Sequence, residues 1–313
     1  MIRARRELMG EAAEWFVIAN PVSARGLGRD RWLSVERRLR AQGIALEIHE
    51  TAHPGQGEQA TRQALDAGRR HILVAGGDGT VHEAVNGIMS AGIADTRAVT
   101  LAVAPVGTGN DWSRSLGLPA DPSGIARMLT GGQAMLHDVG RLEFPDARPP
   151  FQRWFINVAG AGYDAHVITK LPTRVPSRLA YLKGAVSGLA SYRSPRFRIS
   201  ADETIIEDRL LLAFVANGQF CGNRMHVAPR ARVDDGLLDL VTVQNLPLLG
   251  VLFKLGKLYR GSILGDPAVN HLRSSRIRID AAPVAQVEAD GQLLGPTPVE
   301  CSVCPSVLRV AVP

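Results

Sequence analysis

Residues 71–89 read HILVAGGDGTVHEAVNGIM. The run from His71 to Ala75 has the apolar character and length of a buried strand, and it enters Gly76, Gly77, Asp78 and Gly79. From Thr80 onward, Val81, Ala84, Val85, Ile88 and Met89 fall on one helical stripe. A strand that passes through a glycine turn into a helix is half of a βαβ unit, and such units build parallel sheets with helices on their faces.

The same grammar continues on both sides. Trp15 to Ala19 reads as a strand, Asn20 to Gly28 as a glycine-bearing loop, and Asp30 to Arg40 as a helix carrying Trp32, Leu33, Val35 and Leu39, stopped by Gly43. Ala45 to His49 is a strand, Gln59 to Ala67 a helix ended by Gly68, and Thr100 to Ala104 a strand that enters the loop Pro105–Asp111. Ligands of parallel sheets bind at the carboxyl ends of strands, where these glycine loops lie. From about residue 151 the rhythm changes. Phe155 to Val158, Phe197 to Ser200, Leu210 to Ala216, Leu237 to Val243, Ile277 to Ile279, Ala285 to Glu288 and Val307 to Val312 read as short strands between turns. The expected fold is therefore an α/β N-terminal domain with a parallel sheet over residues 12–140, and a mainly antiparallel, β-sandwich-like C-terminal domain over 141–304. Residues 305–313 are free to pack back on the first domain, and the proline-rich Glu143 to Pro150 marks the boundary.

Composition narrows the classes. The 313 residues are 45% hydrophobic and 21% charged, which suits a folded chain with a sizeable core. A formal net charge of +6 invites an anionic partner, but only 5% of residues are aromatic, which argues against a platform for stacked bases and against nucleic acid as the partner. Cys221, Cys301 and Cys304 make no disulfide framework and fit a reducing cytosol, and the lone Cys301-x-x-Cys304 lacks the second pair or histidine of a zinc site. No 18-residue apolar run is present, so membrane contact is expected from outside the bilayer.

Glycine turns between strand and helix aim several backbone N–H groups at one point, and the helix N-terminus adds about half a positive charge, which together make a phosphate cradle. A single glycine cluster reads as an ordinary tight turn, but three such loops follow strands here. Gly107-x-Gly109 lacks the third glycine of a dinucleotide fingerprint, and no P-loop signature occurs. An acid such as Asp78 beside phosphates is repulsive unless it holds Mg²⁺ or takes a proton.

The segments Asn20-Pro21-x-Ser23-Ala24-x-Gly26, Gly76-Gly77-Asp78-Gly79-Thr80-Val81-His82-Glu83 and Pro105-x-Gly107-Thr108-Gly109-Asn110-Asp111 resemble the diacylglycerol kinase catalytic-domain superfamily, especially its soluble bacterial lipid kinases related to sphingosine and ceramide kinases. Phe155-x-Asn157-x-Ala159-Gly160-x-Gly162-Tyr163-Asp164-Ala165, Val215-Ala216-Asn217-Gly218 and the stretch from Ala228 to Asp239 extend the resemblance over nearly the whole chain. It implies a cytoplasmic enzyme at the inner face of the membrane that transfers the γ-phosphoryl group of ATP, with Mg²⁺, to the hydroxyl of a diacylglycerol-like or ceramide-like lipid. It further implies nucleotide binding by Asn20, Ser23, Thr51, Gly76, Gly77, Asp78, Gly79, Thr80, Glu83, Gly107, Thr108, Asn110 and Asp111. A structural cation is implied on the carbonyls of Arg232 and Leu237 and the carboxylate of Asp235. The oligomeric state, including a homodimer, stays open.

One position departs from the family. Relatives read Asp-Gly-Glu where this chain reads Asp290-Gly291-Gln292, and an amide cannot accept a proton at neutral pH. Asp78 or Asp290 is expected to orient or deprotonate the lipid hydroxyl, with Gln292 hydrogen-bonding it. Two other readings stand beside this one: a catalytically weak, nucleotide-regulated lipid-binding protein, and an NAD kinase, which shares the Gly-Gly-Asp-Gly loop but not usually the Gly-Thr-Gly-Asn-Asp loop. Two segments are candidates for the bilayer. Between Ala165 and Ala201 stand Lys170, Arg174, Arg178, Lys183, Arg193, Arg196 and Arg198 with no acid, and Leu248 to Arg260 is an apolar helix with Lys254 and Lys257, expected to pack mainly as core.

Overall fold

The computed structural model describes residues 7–8, 14–170, 188–189 and 192–313. Contacts divide the chain into two units. The first takes in the described residues up to Val139 together with Val233–Gly236 and Cys304–Pro313, and the second those of Gly140–Arg232 and Leu237–Val303.

The first unit alternates strand and helix: β1 (Trp15–Ala19), α1 (Gly28–Ala41), β2 (Leu46–Glu50), α2 (Gln56–Asp66), β3 (His71–Gly76), α3 (Asp78–Ser90), β4 (Thr100–Pro105), α4 (Asp111–Ser115) and α5 (Pro122–Gly131). β1 pairs in parallel with β2 and β3, and β3 pairs with β4. A fifth place in this sheet is filled by the carboxyl end of the chain, whose Arg309 and Val310 lie parallel to Thr100 and Leu101. β3 and β4 are buried almost throughout, as strands covered on both faces must be. Trp15, Val17, Trp32, Val35, Leu39, Leu73, Ala102, Ile125 and Met128 form one core against the sheet.

The second unit is antiparallel. It contains the end of β5 (Gln133–Phe144), then β6 (Phe151–Phe155), β7 (Val158–Gly162), α6 (Tyr163–Lys170), β8 (Arg196–Ala201), β9 (Thr204–Ala216), β10 (Leu238–Gln244), α7 (Leu248–Arg260), β11 (Val269–Ser274), β12 (Arg276–Ala282), β13 (Gln286–Ala289), β14 (Gln292–Pro296) and the start of β15 (Val299–Ala311). The long β9 joins two layers. Thr204–Arg209 pairs with β8, and the residues from Leu210 onward pair with β7 on one side and β10 on the other. The proline-rich residues 145–150 turn the chain between β5 and β6, which pair from Gly140 to Phe144.

Three expectations change. The single strand over Phe155 to Val158 is two strands broken at Ile156 and Asn157, because those backbone N–H groups are taken by a distant carboxylate described below. Leu248 to Arg260 is a helix, but its outer side is not core, since Leu249 and Phe253 are exposed. Arg174, Arg178 and Lys183 of the basic stretch lie outside the described residues.

Candidate functional site

In the first unit the two glycine loops lie side by side because β3 and β4 are neighbours with Gly76 opposite Pro105. The Gly107 N–H donates to the Gly76 carbonyl at 3.1 Å. A methyl on Gly107 would stand 2.4 Å from the Cα of Gly77, so the Gly77 backbone requires glycine at 107, while a methyl on Gly77 would make a tight contact of 3.3 Å with the Gly107 Cα. Gly76 is fixed by a second collision, at 2.5 Å from Thr80 Oγ1. Gly79 differs: a methyl there meets nothing within 4 Å. Packing gives no reason for glycine at that exposed position in the first turn of α3.

Asp78 opens α3, where the helix dipole favours its charge, and its Oδ1 accepts the Trp112 N–H at 3.2 Å. A methyl on Gly109 would stand 3.0 Å from Asp78 Oδ2 and 3.8 Å from Asp111 Oδ2. Both carboxylates therefore border one bare Cα at the head of the loops. Such an oxygen-only pair fits Mg²⁺, which takes one or two carboxylates and completes its shell with phosphate and water. Among the described residues no three His, Cys, Asp or Glu side chains converge on one point.

The remaining predicted residues divide. Asn20 donates to Thr80 Oγ1 at 3.2 Å and accepts the Val22 N–H at 3.2 Å, which ties the first loop to the head of α3. Ser23 Oγ is buried without a hydrogen-bond partner, over Gly28. Asn110 takes the left-handed conformation and donates to the carbonyls of Pro105 and Gly107, while Thr108 is exposed. Two side chains have structural partners. Thr51 gives its hydroxyl to the Ala19 carbonyl, and Glu83 accepts the N–H groups of Gly55 at 2.8 Å and Gly57 at 2.9 Å, satisfying orphan donors at the start of α2. Arg31, absent from the sequence reading, donates to the carbonyls of Val106 and Gly107 from the first turn of α1. Its one signal is its place just after the first glycine loop. Asp235 lies in the short segment grouped with the first unit, where the neighbouring Gly236 N–H donates to Asp138 at 2.7 Å; Arg232 and Leu237 group with the second.

In the second unit β13 and β14 meet through a two-residue turn with positive φ at both Asp290 and Gly291, which suits a tight hairpin. The turn aims the Asp290 carboxylate at Ile156, Asn157 and Val158, whose N–H groups it accepts at 3.0, 3.0 and 3.2 Å. Gln292 stands half-buried across from Ala289.

Close by is a pair of acids that the sequence did not single out. A methyl on Gly160 would stand 1.5 Å from Asp164 Oδ2 and 3.1 Å from Glu288 Oε1, so both carboxyls converge on that glycine. The Asp164 oxygens are shut off from solvent. Burial lifts Asp164 to about 6, and burial, then the charge of Asp164, lifts Glu288 well above its ordinary value. Two buried carboxyls this close repel when both are charged, which favours a proton on one of them. The signal for Asp164 was present: Gly162-Tyr163-Asp164 repeats the strand, glycine, acid, helix order of Gly76 to Asp78.

Among the described residues, Asp164 is also the one acid on the wall of a cavity of about 450 Å³ within this unit. The wall is otherwise mostly apolar, with Leu211, Leu212 and Phe214 of β9, Val243 of β10, and Val251, Leu255 and Leu258 of α7.

Comparison with known proteins follows the division of the chain. The diacylglycerol kinase catalytic domain matches residues 14–142, and the YegS C-terminal NAD kinase beta sandwich-like domain matches residues 157–312. The chain belongs to the diacylglycerol kinase catalytic-domain superfamily. It is 28% identical over 289 residues to a diacylglycerol kinase of Bacillus subtilis (strain 168), covering 91% of each protein. A solved structure of a diacylglycerol kinase from Bacillus anthracis str. Sterne superposes with a TM-score of 0.72 at 22% identity, covering 97% of this chain and 98% of that one. Yeast NADH kinase superposes at 0.54 with 12% identity over 97% of this chain and 84% of that one, a likeness of fold alone. The superfamily's two-part plan, an α/β domain with parallel strands and a sandwich-like antiparallel domain, is the one found here.

Proposed function

We propose that this chain is an ATP- and Mg²⁺-dependent kinase of a diacylglycerol-like or ceramide-like lipid hydroxyl. The observation that carries the lipid assignment is the cavity of the second unit, whose mostly apolar wall, with Asp164 the one acid among the described residues and Lys254 engaged by Asp266, suits an acyl chain ending in a hydroxyl and offers little to the charged, polar NAD. Family membership supports the kinase half of the reading.

In this reading the N–H groups at the head of α3 and in the Gly107 loop hold the phosphates, with Gly79 leaving room for them and Asn20, Ser23, Thr51, Thr108 and Asn110 shaping the cradle. Asp78 and Asp111 would hold Mg²⁺, which supplies charge neutralisation when bound. Asp164 marks the polar end of the cavity for the lipid hydroxyl, and Asp78 serves the phosphoryl group. Asp290 positions the backbone of residues 156–158 and keeps its oxygens for that task. A missing Glu at 292 is tolerable, because positioning and charge neutralisation dominate phosphoryl transfer and a general base adds only about 10² to 10⁴ in rate.

The purified chain, given ATP, Mg²⁺ and micelles carrying diacylglycerol, monoacylglycerol or ceramide, or NAD in place of lipid, is expected to form ADP with one of the lipids and none above background with NAD. ADP formation driven by NAD and by no lipid would overturn the assignment.

A further inference from the structure

Helix α7, with sequence LLGVLFKLGKLYR, is apolar on two opposite sides. Successive residues turn by about 100°. Val251, Leu255 and Leu258 face the cavity. On the other side Leu249 is 67% exposed and Phe253 83% exposed, one helical turn apart. A helix apolar all round belongs in a protein core or in a lipid phase, and this one has a core on only one side. Its charge points the same way. From Leu246 to Gly265 the sequence holds Lys254, Lys257 and Arg260 and no acid. Asp266 binds both lysines, Lys257 at 2.7 Å, which leaves the segment net positive at the end that carries Arg260. Apolar side chains outward with basic residues beside them are the composition of a helix lying in the headgroup region of an anionic bilayer.

We propose that α7 is a membrane foot: it lies flat in the surface of an anionic bilayer with Leu249 and Phe253 inserted, so that the cavity behind it takes its lipid from the membrane. The identity of the cavity's cargo rests on the lipid-kinase reading, and the docking itself does not.

The test compares wild type with the Leu249→Ser/Phe253→Ser double variant in sedimentation with vesicles of phosphatidylcholine, with and without phosphatidylglycerol. The expected result is binding that requires phosphatidylglycerol, weakened about tenfold or more in the variant, with activity on a dispersed short-chain diacylglycerol retained. A Phe253→Trp variant gives a second readout that does not depend on how the double variant folds, and its emission should shift to the blue when the anionic vesicles are added. Equal vesicle binding by wild type and double variant, no vesicle binding by wild type, or a Phe253→Trp emission already blue before lipid because a second copy covers the helix would each overturn the proposal. Vesicle binding that depends on Leu249 and Phe253 in a protein inactive on every lipid would uphold the foot and fail the kinase reading.

Discussion

At the scale of single residues, the glycines of the phosphate loops separate into two kinds. Gly76 and Gly107 are held by protein neighbours, so substituting them damages the loops whatever binds there, and Gly77 is tightly approached by Gly107. Gly79 has open space, and it is the cleaner probe. Gly79→Ala is expected to leave thermal stability unchanged or slightly raised, since alanine exceeds glycine by up to about 1 kcal/mol in a helix, while ATP affinity measured by calorimetry falls about tenfold or more, as a blocked phosphate contact requires. Unchanged affinity would remove Gly79 from the cradle. The acid pair makes a second residue-scale prediction. Both Asp164 and Glu288 titrate higher in the folded chain than unfolded, so their contribution to stability is full below the ordinary carboxylate range and is lost as pH rises through the folded values, near 6 for Asp164. Glu288→Gln removes one of the two charges and should flatten the fall in melting temperature between about pH 5 and pH 8. A variant with the wild-type slope would show that the two carboxyls do not share a proton.

At the scale of elements, strands and helices were legible wherever the chain announces them locally. β1, β3 and β4 are apolar runs closed by a loop or a glycine, and a buried parallel strand needs little else. β5 was not legible, because His137 and Asp138 sit in its middle; they are buried only because Trp112 Nε1 donates to His137 Nε2 and the Gly236 and Ser306 N–H groups donate to Asp138. The break at Ile156 was equally hidden, since the carboxylate that makes it comes from Asp290, far along the chain. Glu83 shows the same limit at the site. It stands inside a phosphate-loop motif, yet its oxygens cap α2, which only the fold reveals. Glu83→Ala is therefore expected to cost about 1–2 kcal/mol of stability by orphaning those N–H groups, with ATP affinity little changed. Lost affinity at unchanged melting temperature would return Glu83 to the nucleotide.

At the scale of the whole molecule, the described chain forms two units with separate cores. One carries the glycine loops and the carboxylates Asp78 and Asp111; the other carries the apolar cavity with Asp164 on its wall. The loops were readable because backbones that pass this closely leave glycines in the sequence. The cavity was not, because its wall is assembled from α6, α7, β9 and β10, each of which reads alone as ordinary core. No described helix is long and apolar enough to cross a membrane. The central claim is that this chain moves a phosphoryl group from ATP to a lipid, and following that group by ³¹P NMR tests it most directly. With diacylglycerol or ceramide micelles the γ-phosphorus signal should be replaced by a phosphomonoester that extracts into organic solvent, with Asp78→Asn at least about tenfold slower. Nucleotide that binds but is never turned over on any lipid, or γ-phosphate that appears only as inorganic phosphate in water, would contradict it.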